Sequence, residues 1–425
     1  MIWLLGLLFV LFFFRVPIAF ALGITSLVGL ALSDTNMVIV AQKTFSGIDS
    51  FTLVAIPLFV LAGEIMTVGG ISKRLVNFAQ LLVGHLPAGL GLVAVLACAF
   101  FSAISGSAIA DAAAIGGILI PAMVAQGYDR RFASTLIASA STIGPVIPPS
   151  IPFILYGVMA SVSIGDLFLA GVAPGLLMAV FLMIYVFMFG KKNNIRGREK
   201  MASPKEIFIG FKDAFFALLL PIIIIGGFRS GIFTATESGV IAVIYALLLG
   251  VFVYKEIKLK DLAKVLFESA LSSASILFVI GNATLFTWLL SFHDIPDQLS
   301  ALVSGISDEP WVILLLMNIV LLIAGTFIDT ISALTIFTPL FLPIAMAAGI
   351  DPVHLGVIIV VNLTIGMITP PLGVCLFVTS SIAKVNLVQM VRPLIPQFLI
   401  LLVVLAIVTY LPDISLFLPH IFGGE

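Results

Sequence analysis

Apolar runs alternate with short polar connections along almost the whole chain, the pattern of a polypeptide threaded repeatedly through lipid. Runs at about 51–68, 87–103, 107–125, 133–147, 150–163 and 166–189 lead to a hydrophilic stretch. That stretch starts at Lys191 and Lys192 and runs on to Lys205 and Lys212. Beyond it come runs at about 213–229, 236–254, 268–291, 310–325, 330–348, 354–368, 372–383 and 394–418. The opening run, Met1 to Leu32, exceeds the roughly twenty residues a spanning helix needs. Arg15-Val16-Pro17 sits inside it, so it is either one long kinked helix or two shorter pieces. It has no small-residue cleavage site followed by a soluble domain, so it reads as membrane-embedded and not as a removable leader. Residues 36–50 are more polar and are expected along the membrane surface.

Two stretches repeat. Ser105-Gly106-Ser107 leads to Asp111, Pro121, Gly127-Tyr128-Asp129 and Thr142-Ile143-Gly144-Pro145-Val146-Ile147-Pro148-Pro149. Gly325-Thr326 leads to Asp329, Pro343, Gly349-Ile350-Asp351 and Thr364-Ile365-Gly366-Met367-Ile368-Thr369-Pro370-Pro371. From Pro121 and Pro343 onward the spacing is the same without a gap, and TIGxxxPP recurs whole. Upstream, a gap of about four residues is needed to align Asp111 with Asp329. Repeats that break helices inside the membrane point to a transporter's binding site. Each stretch is preceded by a pair of runs, 87–125 and 310–348, with a short turn of Ser, Gly, Thr and Asp. Such backbone survives in lipid only when buried in protein or lining a watery cavity. The pairs are read as re-entrant hairpins, although two full crossings would give the same parity.

Composition narrows the class. The chain is 61% hydrophobic and 10% charged over 425 residues, more apolar surface than a soluble fold of that length can hide. A net charge of −1 argues against a nucleic-acid partner. Cys98 and Cys375 sit in apolar runs as packing residues. Charge placement gives sidedness: the Lys/Arg-rich loops 191–212 and 255–264 should face the cytoplasm, as should Lys73, Arg74, Arg130, Arg131 and Lys384. The connection carrying Asp294, Asp297, Asp308 and Glu309 is then outside, and so is the C-terminus. The two repeats therefore insert with opposite sense.

The double prolines remove donors and clash with the preceding turn, so no helix runs through them. The freed carbonyls, with Ser and Thr hydroxyls, are hard oxygen ligands suited to an alkali cation. Nearby helix N-termini suit an anion. Asp111 and Asp329 lie just past the hairpin tips in apolar surroundings, where an ionisable group is either a helix cap or part of an ion site. Glu64 and Glu237 lie in or at the ends of membrane helices, Glu64 reading as structural at the inner surface, and Asn282, Asn318 and Asn362 read as interhelical hydrogen-bonding residues. An enzyme is not expected. Gly106-Ser107 would need a histidine base, and His85, His293, His354 and His420 all fall near loops or helix ends. No metal-protease, CxxC or ATP-binding phosphate-loop motif is present.

The tip Ser105-Gly106-Ser107-Ala108, Asp111-Ala112-Ala113-Ala114-Ile115-Gly116, Ile147-Pro148-Pro149-Ser150 and Thr369-Pro370-Pro371 together resemble the large membrane (M) subunit of tripartite ATP-independent periplasmic (TRAP) transporters. The resemblance covers nearly the whole chain. It implies an all-α polytopic membrane protein of inverted-topology repeats, with two re-entrant helical hairpins and two discontinuous helices, working as an elevator-type transporter in a bacterial inner membrane. On this reading residues 1–86 are N-terminal scaffold, 87–165 the first transport-core repeat, and 166–309 central scaffold. Residues 310–385 are then the second repeat and 386–425 a C-terminal scaffold helix.

The same resemblance implies sodium-coupled import of an organic acid anion: a C4-dicarboxylate, sialic acid, or another sugar or keto acid. A periplasmic substrate-binding protein would deliver it, and a small four-helix membrane subunit, a separate chain or one parted from a fusion, would bind the scaffold. One Na+ site would use Ser105, Ser107 and the backbone of Gly144, Val146 and Pro148. The other would use Gly325, Thr326, Thr364, Met367 and Thr369. Because Ile147 stands where the other copy has Thr369, and Pro145 where it has Met367, the two sites should not be equivalent. Substrate would touch Ser107, Asp111 and Asp329. The competing readings are a stand-alone carboxylate carrier with no binding protein, and a channel or structural subunit of a membrane complex.

Overall fold

The computed structural model describes residues 3–422 apart from 15, 34, 199, 306 and 308, so Arg15 and Asp308 lie outside the described residues. Among them every regular element is helical. The opening run is two helices, α1 (Trp3–Phe13) and α2 (Ile18–Ala31), with Pro17 extended at the N-cap of the second. Proline cannot donate to a preceding turn, which sets the break there. After α3 (Val38–Ile48) a 3-10 turn, Phe51–Val54, leads into α4 (Ala55–Val68). A Gly69-Gly70 corner then starts α5 (Ile71–Val83), with Gly70 at φ 72°. No apolar run announced α5, because it is amphipathic: Ile71, Leu75, Val76, Phe78 and Ala79 are buried while Lys73 is exposed.

The first hairpin is α6 (Gly89–Ser105) and α7 (Ala108–Ala125), joined by Gly106-Ser107. Next, α8 (Arg130–Ser141) stops and the chain runs irregularly through 142–150 before α9 (Ile151–Ala160). Asp129 caps α8 by accepting from the Arg131 amide at 2.8 Å, and the Arg131 guanidinium holds its carboxyl below the usual range. Then follow α10 (Ile164–Lys192), α11 (Pro204–Arg229) and α12 (Ala235–Leu248), the last prolonged by a π-helical turn, Leu249–Val253. The long α13 (Leu259–Phe292) and a second unforeseen amphipathic helix, α14 (Ile295–Ser304), reach the second hairpin, α15 (Pro310–Gly325) and α16 (Thr330–Ala347). The second broken pair is α17 (Pro352–Gly366) and α18 (Val374–Ala383). The chain ends in α19 (Leu387–Tyr410) and α20 (Pro412–Phe422). The expected single last helix is thus two, parted at Leu411 and Pro412, and α20 packs on α10 and α17.

Helix starts differ from the apolar runs where caps extend them. A capping box of Ser203 and Glu206 begins α11 inside the expected basic loop, and Glu237 does the same for α12 with Thr234. The surface helix expected at 36–50 is docked: Gly47 of α3 lies against Thr284, and Thr44 against Gly281, both on α13.

Packing divides the helices into two groups. In one, α2, α3 and α4 pack on α13, and α12 packs on α4 and α11. In the other, both hairpins and both broken pairs pack together with α10, α19 and α20. The sequence reading placed those last three in the scaffold. What draws α10 to the first break is its small-residue face. A Cβ on Gly171 would meet Val146 O and the Phe153 ring, and one on Gly175 would meet Ile147. Two glycines four apart let a helix approach that closely. The amphipathic helices span the division: α5 touches α6 and α11, and α14 touches α13 and α16.

The halves of the broken pairs are exchanged. α18 packs on α7 and α8, while α9 packs on α16 and α17. Tyr156 of α9 donates to Pro352 O of α17 at 2.6 Å, with its ring against Gly356, and Cys375 of α18 meets the Ser141 hydroxyl of α8. The two repeats are thereby interlocked; the first break, 142–150, is buried throughout, whereas Pro370, Pro371 and Leu372 of the second are exposed.

Candidate functional site

Helix register decides which tip residues correspond. α7 and α16 are both 18 residues long and start at the same place in their repeats, as do α8 and α17. No four-residue gap is needed. The extra residues of the second copy lie in its tip, Thr326 to Ile328, between α15 and the cap of α16. The partner of Asp329 is therefore Ser107, since both are N-caps: Ser107 Oγ accepts from Ala110 N at 3.4 Å, and Asp329 from Ile331 N and Ser332 N at 3.1 Å. Asp111 has no acidic partner; the matching position is Ala333.

At the first tip, α6 ends at Ser105 and Gly106 turns with φ 61°. A side chain there would strike Pro149 O, and one on Gly144 would come within 2.6 Å of Asp111 Oδ2 and 3.0 Å of the Ser107 carbonyl carbon. These glycines seat the hairpin tip in the first break. Asp111 is fully buried, with Ser102 Oγ donating to it at 2.6 Å and Ser105 Oγ also donating. Its carboxylate lies between these serines and Gly144 of the break and offers no surface to a substrate. Ser105 Oγ also accepts from Ser107 N at 3.3 Å. Among the described residues, no protein donor bonds the carbonyls of Gly144, Val146 or Pro148. Val146 O abuts Gly171 of α10. Leaving a buried carbonyl unpaired costs about 1–3 kcal/mol, so such a cluster favours a ligand.

At the second break, Gly366 and Gly325 touch backbone to backbone, so α15 ends directly on the broken helix. Thr326 Oγ1 donates to Ile323 O at 2.7 Å, Thr364 Oγ1 to Val361 O at 2.8 Å, and Thr369 Oγ1 to Ile365 O at 2.9 Å. A carbonyl only accepts, so all three hydroxyl protons are committed and each oxygen has only lone pairs left to offer. Lone pairs suit a cation and repel an anion. The Met367 carbonyl is taken by Cys375 N at 3.1 Å. Ser107 is the contrast, because its oxygen accepts a helix N–H and its proton has no protein acceptor among the described residues, leaving it free for an anion.

A polar brace stands behind the second break: Asn362 Nδ2 donates to Asn318 Oδ1 at 2.7 Å, and Asn318 Nδ2 to Thr409 Oγ1 at 3.1 Å. The interhelical role expected of both asparagines holds. Asn282 differs: its amide donates within α13, to Phe278 O at 2.9 Å, and it meets α2 only by packing against Gly23. His354 is buried with Nε2 3.2 Å from Thr409 O, away from Ser107. Sequence reasoning missed Ser102 and Ser150, the latter capping α9 while donating to Pro145 O. It also missed Gly63 of α4, whose Cβ position lies 3.5 Å from Ser105 O. Ser102, three residues before Ser105 on one helix face, was the legible one.

Residues 5–414 match the family model described as tripartite ATP-independent periplasmic transporter, DctM component. The chain belongs to this family. It is similar to the C4-dicarboxylate TRAP transporter large permease of Pseudomonas aeruginosa, 42% identical over 93% of this chain and 92% of that one. The sialic acid TRAP transporter large permease of Vibrio cholerae is 41% identical over 99% and 97%. The YdaH transporter of Alcanivorax borkumensis, described as having an unusual topology, shares the fold: TM-score 0.65 at 16% identity, over 92% of this chain and 89% of that chain. The chain is a multi-pass TRAP transporter large permease, and eight of its helices among the described residues are long and apolar enough to cross a membrane.

Proposed function

We propose that this permease imports an organic acid anion coupled to sodium. The carrying observation is the division of hydroxyl protons: Thr326, Thr364 and Thr369 present lone pairs at one break, while Ser107 keeps a proton at the other tip. One sodium ion is held near Thr326, Thr369 and the backbone of Gly325, Thr364 and Met367. Another is held near Ser105 and the carbonyls of Gly144, Val146 and Pro148, with Asp111 supplying charge from behind through Ser105. Substrate lies between the tips, receiving the Ser107 proton and the N-termini of α7, α9 and α18. Asp329 borders this space as a cap. Asp111 is reassigned from substrate contact to support of the first cation site.

The packing division supports an elevator motion, in which α6–α10 and α15–α20 move as one body against the rest. A cavity of about 540 Å³ lies where the bodies meet, lined by Ser161 and Ser163 on one side and Ser50, Thr52, Phe233 and Thr234 on the other. Charge placement supports a periplasmic C-terminus and cytoplasmic basic loops. The P. aeruginosa and V. cholerae relatives are named for C4-dicarboxylate and sialic acid, so a carboxylate cargo is the reading for this chain. Family membership supports a periplasmic binding protein and a small membrane subunit as partners. Each net positive charge moved inward yields about 2.3 kcal/mol per 100 mV, so two sodium ions with a monoanion draw on the potential as well as the sodium gradient.

The test is uptake into proteoliposomes holding this chain with its membrane partner, with and without the binding protein. Uptake that needs both sodium and the binding protein is expected. Uptake by the purified chain alone would favour a stand-alone carrier, and flux that never saturates would favour a channel.

A further inference from the structure

Two of the chain connections between the helix groups run side by side. Residues 84–88, between α5 and α6, are tied to the irregular segment leaving α10: Ala88 N donates to Ile195 O at 3.0 Å and Arg198 N to Gly84 O at 2.8 Å. Gly190 of α10 presses on Ala88, and Gly197 on Leu86 O. This backbone strap fixes the C-terminal end of α5 to the hairpin-bearing group. The other end of α5 is gripped by the opposite group. Arg74 Nη1 donates to Glu256 Oε1 at 2.8 Å, its Nε lies 3.5 Å from Asp213 Oδ1 on α11, and its guanidinium stacks 3.9 Å from the Tyr254 ring centroid. Arg74 also donates to Gly70 O at 3.0 Å.

We propose that Arg74 is a positioning residue, the scaffold-side pivot about which α5 swings as the core moves. The inference rests on the moving-core reading above. A planar cation lying flat on a ring with carboxylates at its edge keeps its partners through a rotation, which a compact ammonium would not. The backbone beside it, Gly69-Gly70, has the widest range of allowed dihedrals that a chain can offer. Gly70 has a positive φ with the Glu256 carboxylate where a Cβ would be, and Gly69 faces Gly250 of the π-turn. Were α5 a rigid part of either group, one of its two attachments would be redundant.

The experiment compares sodium-driven uptake by the reconstituted transporter carrying Arg74→Gln, Arg74→Lys or Gly70→Ala. The pivot predicts a maximal rate lowered about tenfold, with substrate KM and sodium half-saturation within about twofold of the parent. A second arm pairs Arg74→Cys with Glu256→Cys and joins them by a short thiol-reactive tether. Tethering raises the rate of the double variant if the pivot stays closed through the cycle. A tether that stops residual uptake, rates at the parental level in all three single variants, or a change confined to KM or sodium affinity each overturns the proposal. If a single variant does not assemble, the tethered pair decides. Absence of sodium-driven uptake in the parent would instead refute the transport reading itself.

Discussion

Gly366 stands against Gly325 so closely that a Cβ on the former would fall 2.7 Å from the Cα of the latter. The end of one hairpin arm and the end of a broken helix are therefore in backbone contact, with no side chain between them. Gly366→Ala should push α15 off the break. Overpacking of this kind costs about 1–3 kcal/mol, and the displaced carbonyls should lose cation affinity too. A lowered melting temperature together with a raised sodium half-saturation is expected; either parameter unchanged would mean the contact is slack.

Thr369→Ala removes one oxygen at the second break whose proton is already committed to Ile365 O. Losing one such ligand, at about 1.4 kcal/mol, should raise the sodium half-saturation about tenfold and leave substrate KM at saturating sodium nearly unchanged. Thr369→Ser keeps the hydroxyl and should restore most of the affinity. Initial uptake rates over a sodium series make the comparison.

Ser107→Ala should show the reverse emphasis, because its free proton is assigned to the anion. Substrate KM should rise by about tenfold, with a smaller change in sodium dependence. A sodium-only effect would move Ser107 from the substrate to the cation.

Helix α4 meets the first tip at Gly63, where a methyl group would sit in ordinary contact with Ser105. Gly63→Ala should be tolerated and Gly63→Leu should stop transport without unfolding the protein. Equal activity of the two would show that α4 does not bear on the first tip.

Much of the core was legible because its chemistry is written in rare residues at fixed spacing. Pro148-Pro149 and Pro370-Pro371 gave the breaks, and Gly106 the turn. The amphipathic α5 and α14 were not, since a search for apolar runs passes over a helix with Lys73 or Asp294 near its start. Pairing Asp111 with Asp329 misled for a physical reason. Alignment favours like residues, whereas the fold aligns caps, and Ser107 and Asp329 cap α7 and α16 with different side chains. The place of α10 depended on Gly171 and Gly175, a close-packing signal present in the sequence but meaningless until the partner surface is known.

If the paired breaks hold the cations that drive the anion inward, sodium and substrate must cross in a fixed ratio. That ratio is read from the membrane potential at which a fixed sodium gradient just halts uptake into proteoliposomes. A ratio of two or more, reduced in Thr369→Ala, is the expected result. Uptake that proceeds equally with choline in place of sodium, at any potential, would contradict it.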